Sequence, residues 1–257
     1  MRITSFLFSL LAFTALSTNV AHAGLIQNGS FENLSAGSAG LQLAHGITTK
    51  DDKRVIAKGW DSYNGNDGGY NFILNGSTAH QHGYSMRLEG HQDDFFMSPS
   101  GGNFFASDSQ YHPGVLSQLI NGLTIGASYV LTFEYALAQQ YGWTGANYDN
   151  YWQVGFGMDP WDAKTQNAQN TQKTDNLSIP EKGFSGWQTA SMVFTATNTS
   201  ELLSFLAKGT APGGPPFMLL DNVQLKAEVP EPATWTMLLG GLGLLGFMVR
   251  RRRNGQA

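Results

Sequence analysis

Six aromatic residues crowd one stretch of the chain: Tyr141, Trp143, Tyr148, Tyr151, Trp152 and Trp161. Sugar rings offer flat C–H faces to aromatic rings, and their hydroxyls need amide and carboxylate partners. Asn147, Asp149, Asn150 and Gln153 supply such partners within the same stretch. Trp143, Tyr148, Tyr151 and Trp152 are therefore candidate carbohydrate-binding residues. The same rings would serve equally well to pin a long connection against a β-structure, since large aromatic side chains bury well.

Other chemistry is thinner. His80-Gln81-His82 would place both imidazoles on one side of a strand, with Glu89, His91, Asp93 and Asp94 following. No tight metal-ligand spacing is present, so an exposed polar loop is expected here. Asp61 to Gly68 is rich in oxygen donors but misses the EF-hand spacing and reads as a turn-rich loop. There is no Gly-x-Ser-x-Gly elbow, no phosphate-binding loop and no cysteine nucleophile. Paired carboxylates of a glycosidase exist on paper in any chain this acidic. A non-enzymatic role is the expectation.

These groups must be held by β-structure. Tyr129, Leu131, Phe133, Tyr135 and Leu137 alternate with Val130, Thr132, Glu134, Ala136 and Ala138, the period-two pattern of a strand with one buried face. Met192, Phe194 and Ala196 repeat it, and Leu202 to Ala207 and Phe217 to Leu225 are further strands. Asn28-Gly29, Asn64-Gly65, Asn75-Gly76 and Asn121-Gly122 are turn signals. Trp60 and Trp187 each follow a glycine at a strand start and read as core anchors. The fold class is all-β, two antiparallel sheets packed as a jelly-roll β-sandwich, over residues 24–227. The chain has no cysteine, so the fold rests on its core or on metal. Arg2 and Arg250 to Arg253 account for five of the 15 basic residues and all 19 acidic residues follow Ala23, which leaves residues 24–249 at a net −9. That charge disfavours nucleic acid as a partner.

The order of landmarks adds a resemblance. Leu25-Ile26-Gln27-Asn28-Gly29-Ser30-Phe31-Glu32 opens the domain, and Gly59-Trp60 follows. Ser117 to Leu123 leads through Gly126 and Tyr129 into the long strand. Gly186-Trp187 and a closing Leu219-Leu220-Asp221-Asn222-Val223 complete the series. This series resembles the galactose-binding-like jelly rolls, including carbohydrate-binding modules. The stretch from Tyr141 to Asn176 departs from it, being longer and more polar than a hairpin connection. First and last strands lie near each other in such sandwiches, which would bring Glu32 and Asp221 together. The resemblance implies one structural Ca²⁺ near these positions, where 6–8 oxygens would be needed. The alternative is that both carboxylates accept hydrogen bonds from turn amides.

The two ends describe a route. Met1-Arg2, an apolar run from Phe6 to Leu16 and the small-x-small box Ala21-His22-Ala23 form a signal peptide, residues 1–23, with signal-peptidase cleavage before Gly24. Pro230, Glu231 and Pro232 precede an uncharged apolar run, residues 234–249, and then four arginines. That run would make a single C-terminal transmembrane helix about 24 Å long, slightly short of the roughly 30 Å hydrocarbon core. The arginines would stay cytoplasmic. Residues 228–257 resemble the PEP-CTERM sorting signal of exopolysaccharide-producing Gram-negative bacteria. The resemblance implies recognition by an exosortase, cleavage near the Pro-Glu-Pro and delivery to the cell surface or matrix. In that role the prolines and Glu231 are substrate.

Three functions compete on these grounds: a surface or matrix protein that binds exopolysaccharide without catalysis, a structural matrix protein without a specific ligand, and a secreted polysaccharide hydrolase.

Overall fold

A computed structural model describes residues 24–45, 54–64, 68–81, 86–89, 96–157, 170–210, 213–228, 240–243 and 245. The signal-peptide residues Ala21 and Ala23, the sorting residues Pro230, Glu231 and Pro232, and most of 234–249 lie outside them. Among the described residues no helix is long and apolar enough to cross a membrane.

The alternating segment forms β9 (Ser128–Gln140), which carries Tyr129, Leu131, Phe133, Tyr135 and Leu137 into the core. Its neighbours are β13 (Gln188–Thr195) on one side and β15 (Pro216–Ala227) on the other. Beyond β15 come β7 (Asn103–Asp108), β5 (Asn71–Asn75) and β2 (Leu41–Gln42), all antiparallel. The second sheet runs β11 (Thr171–Lys173), β10 (Asn147–Phe156), β14 (Ser200–Thr210), β8 (Val115–Asn121) and β4 (Asp61–Tyr63). β12 (Leu177–Ile179) pairs with the start of β10, and β1 (Leu34–Ala36) pairs with β3 (Ile56–Ala57) apart from both sheets. The expected sandwich is observed, and the polar stretch after Tyr141 supplies β10, β11 and β12, one side of the second sheet.

Inward residues of both sheets interdigitate. Phe133 meets Phe205 edge-on at 5.2 Å, and Phe105 lies 5.9 Å from Trp152. Trp60 anchors this core as expected: it packs 5.4 Å from Phe31 and its Nε1–H donates to Asn28 O at 2.9 Å. One feature differs from a sheet with a solvated face. The outer side of the first sheet carries a second apolar layer, in which Ala79, Met86, Leu88 and Phe96 cover Phe72, Phe104, Ala136, Ala138, Phe217 and Leu219. Trp187 belongs to this layer, edge-on to Phe104 at 5.5 Å with its Nε1–H donating to Phe96 O. β6 (Leu88–Glu89) closes the layer against the end of β9. Both faces of β9 are therefore buried from Tyr135 onward.

The opening and closing landmarks meet directly. Val223 N–H donates to Gly29 O at 2.9 Å, and a Cβ on Gly29 would lie 2.0 Å from Val223 O. Asn28 and Phe31 turn with positive φ to make this approach. Gly29→Ala should therefore cost roughly 2 kcal/mol or more of unfolding free energy in urea titration. Trp152→Ala, which empties a fully buried site, should cost about 3–5 kcal/mol.

Candidate functional site

One end of the sandwich gathers the end of β9, the end of β7, the start of β15, the start of β10 and the end of β14. The register shows this in the pairs Gln139–Pro216, Asp108–Phe217 and Tyr148–Thr210. Residues 141–146 connect β9 to β10 across this end. Buried Gln139 fixes them: its Nε2 donates to Gly145 O at 3.0 Å and its Oε1 accepts from Lys182 N–H. Gly214 N–H donates to Thr144 O at 2.8 Å. A Cβ on Gly214 would lie 2.2 Å from Trp143 Cβ, so the glycine makes room for the tryptophan.

Four rings stand out into solvent here. Tyr141 is 44% exposed, Trp143 51%, Tyr148 47% and Tyr111 60%. Tyr148 is presented by a bulge in β10, where Asp149 has φ 54° and the pairing with β14 shifts between Tyr148 and Tyr151. Buried Asn150 holds the bulge: its Nδ2 donates to Tyr148 O at 3.0 Å and its Oδ1 accepts from Ser109 Oγ at 2.6 Å. The rings thus sit on a fixed polar framework, as a binding surface requires.

The other two aromatic candidates lie elsewhere. Trp152 is fully buried, its Nε1–H donating to Leu219 O at 3.0 Å, so it is a core residue and touches no ligand. Alternation explains this: Trp152, Val154 and Phe156 face inward along β10, and Tyr151 and Gln153 face outward. Tyr151 is partly buried on the outer face, with the Lys173 ammonium 4.9 Å above its ring. Tyr151, Gln153, Thr171, Gln172 and Lys173 line an open depression of about 330 Å³. Trp161 lies outside the described residues.

Sequence reasoning missed Asp108 and Tyr111. Asp108 is fully buried at the end of β7. Its Oδ1 accepts from Gln110 N–H at 2.8 Å and Tyr111 N–H at 3.0 Å, and its Oδ2 has no partner among the described residues. Burial raises its pKa to about 6, against the lowering by those two amides. Tyr70 packs edge-on to Tyr111 at 5.5 Å, and its own pKa is raised by burial, with Asp108 and Tyr111 adding to the rise and a hydrogen bond to Gln140 opposing it. An Asp followed closely by an exposed Tyr at the end of a strand is a weak pattern, visible only once the strand ends are known.

Glu32 and Asp221 lie within electrostatic reach of each other at a second place. Glu32 Oε1 accepts from Asn103 N–H at 2.5 Å, and its carboxylate lies over Gly102, where a Cβ would be 1.9 Å from Oε1. Asp221, fully buried at a bulge of β15, accepts from Ser98 Oγ and, at 2.7 Å, from Asn222 N–H. Burial raises its pKa to about 7; the bonds from Ser98 and Asn222 oppose this, and the charges of Glu134 and Glu32 add to it. Glu134 accepts from Ser100 Oγ at 3.1 Å and Asn222 Nδ2 at 3.2 Å. The third carboxylate was absent from the sequence reading. Among the described residues no three or more His, Asp or Glu side chains are arranged to hold a metal ion. His82, His91, Asp93 and Asp94 lie outside those residues. Asp61 pairs with His45 at 2.9 Å, and Ser62 Oγ donates to Gly68 O at 2.5 Å; Asp61–Tyr63 form β4 instead of the expected loop, because they pair with β8, and residues 65–67 lie outside the described residues.

Comparison with known proteins divides the chain in two. Residues 228–253 match the PEP-CTERM protein-sorting motif, so the chain ends in a sorting signal. No curated protein matches. Among solved structures the chain is similar to TmCBM61 in complex with β-1,4-galactotriose, at 14% identity and TM-score 0.40, over 80% of this chain and 99% of that one. It is similar to a cyclase from Fischerella sp. TAU in complex with 4-(1H-indol-3-yl)butan-2-one, at 18% identity and TM-score 0.46, over 80% and 97%. A third is a CBM4 structure, at 15% identity and TM-score 0.30, over 79% and 99%.

Asp108 generates a test. Its folded pKa of about 6 lies above the ordinary 3.8, so the folded state holds the proton more tightly than the unfolded one. The stability this gives is present below about pH 4 and lost as pH rises through about 6. The facing Tyr70, whose own pKa is raised by burial, stays neutral throughout this range. Asp108→Asn should flatten the change in melting temperature between pH 4 and 7 relative to the wild type; an unchanged slope would remove Asp108 as its source.

Proposed function

We propose that this is an exported surface or matrix protein whose sandwich binds extracellular polysaccharide without catalysis. Signal peptidase removes residues 1–23, the C-terminal apolar run holds the chain in the membrane with its arginines cytoplasmic, and an exosortase processes the sorting signal. The observation that carries the binding reading is the set of exposed rings at one end, Trp143 and Tyr148 foremost, seated on buried Gln139 and Asn150. Rings of that exposure on a rigid base offer apolar faces for sugar C–H groups. Tyr151 extends the surface onto the outer face through the depression it shares with Lys173.

We further propose one structural calcium ion at Glu32 and Asp221. Glu32, Glu134 and Asp221 each accept a hydrogen bond from the segment 98–103, and no basic side chain bonds to any of them among the described residues. A divalent cation is the countercharge that such a cluster lacks, and it favours the ionised form of buried Asp221. Backbone carbonyls and water would complete its oxygen shell.

Retention of the full chain on the extracellular polysaccharide of its producing cells tests the first proposal. Trp143→Ala and Tyr148→Ala should each weaken retention about tenfold, equivalent to about 1.4 kcal/mol, at unchanged melting temperature. No reducing sugar should be released. Concentration-dependent assembly without retention would favour a structural matrix protein, and product release a hydrolase. For the ion, calcium at a hundredfold excess over its Kd should raise the melting temperature by about 5–10 °C, EDTA should reverse this, and Asp221→Asn should abolish it. No response to calcium or EDTA would leave Glu32 and Asp221 as turn-amide acceptors.

A further inference from the structure

Arg87 lies just before β6, at the end that carries the exposed rings. Its guanidinium carbon sits 3.8 Å from the centroid of the Tyr141 ring, and its carbonyl accepts from Tyr141 N–H at 2.8 Å. Stacking uses the face of the guanidinium and leaves the N–H donors along its edge unspent. No carboxylate reaches ion-pairing distance of Arg87 among the described residues, and its Nη1 is out of contact with solvent and has no acceptor. Glu89, two residues on, is engaged instead with Gly142 N–H at 3.3 Å. Arg87 as a whole is only half-buried, so its remaining N–H donors, which bond to nothing among the described residues, are open to a partner arriving from solvent.

We propose that Arg87 and Tyr141, with Trp143 in the same connection, form a subsite for an acidic sugar, the guanidinium pairing with a uronate carboxylate. This rests on the polysaccharide reading above and names the class of polymer. A neutral sugar hydroxyl satisfies one donor at most, whereas a carboxylate matches the guanidinium in both charge and two-pronged geometry. The surrounding charge makes the subsite selective: residues 24–249 carry a net −9, so an anionic chain is repelled from the domain except where a cation stands unpaired. The ring beneath Arg87 holds it in place and lowers the entropy lost when the anion docks.

The test compares polygalacturonate with its carboxyl-reduced form, which keeps the sugar backbone and loses the charge. The full-length wild type should bind the acidic polymer about tenfold or more tightly than the reduced one, and added salt should narrow that gap. Arg87→Gln should remove the preference, and Arg87→Lys should restore only part of it. Trp143→Ala should weaken both polymers alike. Equal wild-type affinity for both polymers overturns the proposal. So does an Arg87→Gln variant that keeps the preference, or one that weakens both polymers in step with a fall in melting temperature, the mark of a structural clamp alone. Failure of the wild type to retain either polymer or its own cells' polysaccharide would instead defeat the parent reading.

Discussion

The approach of Gly29 to Val223 is the constraint on which the rest of the domain depends. Backbone touches backbone there, with no room for a single methyl group between them. It ties the first segment of the domain to the last, which is also the centre of the first sheet, between β9 and β7. From that contact the chain reaches Glu32, whose carboxylate drops onto Gly102 and the Asn103 amide, while the bulge after Asp221 turns the second carboxylate inward. A chain without cysteine closes its ends in this way without a disulfide. Such closure is cooperative: each piece of it is useful only when the others are in place.

Much of this architecture was legible in advance because one physical rule governs it. A strand with one buried face must alternate, and β13 and the first half of β9 do, whereas β14 and β15 are buried on both faces over much of their length and read only as apolar runs. The opening and closing landmarks were also legible, and their direct contact follows from the order of strands. The outer apolar layer was not. Ala79, Met86, Leu88 and Phe96 come from a segment with little regular structure, so they show no period, and only the three-dimensional path lays them over Phe104 and Phe217. For the same reason Trp187 reads from the sequence as a core anchor, but only the structure shows that it anchors the outer layer.

The site shows the same division. Trp143 and Tyr148 stand exposed, yet Trp152 is buried beside Phe105 and Phe205. Counting aromatic residues along a stretch cannot separate these cases, because β10 opens with polar residues and a bulge that hide its period. From Tyr151 to Phe156 the alternation is plain, and it alone would have sent Trp152 inward. Asp108, Glu134 and Arg87 were out of reach for another reason. Each acquires its meaning from partners on separate strands, and a single charged residue in a line of text carries no sign of being unpaired.

The direction of β15 has a mechanical consequence. The strand starts at Pro216, among the exposed rings, and ends eleven residues later at Ala227, beside Tyr129 and next to the residue where the sorting motif begins. The two points are about 40 Å apart, the length of an extended strand of that size. A pull between something gripped at the rings and an attachment beyond Ala227 therefore runs lengthwise through the middle of the sheet. It loads the rungs to β9 and β7 in shear, many at once, instead of peeling them open in sequence.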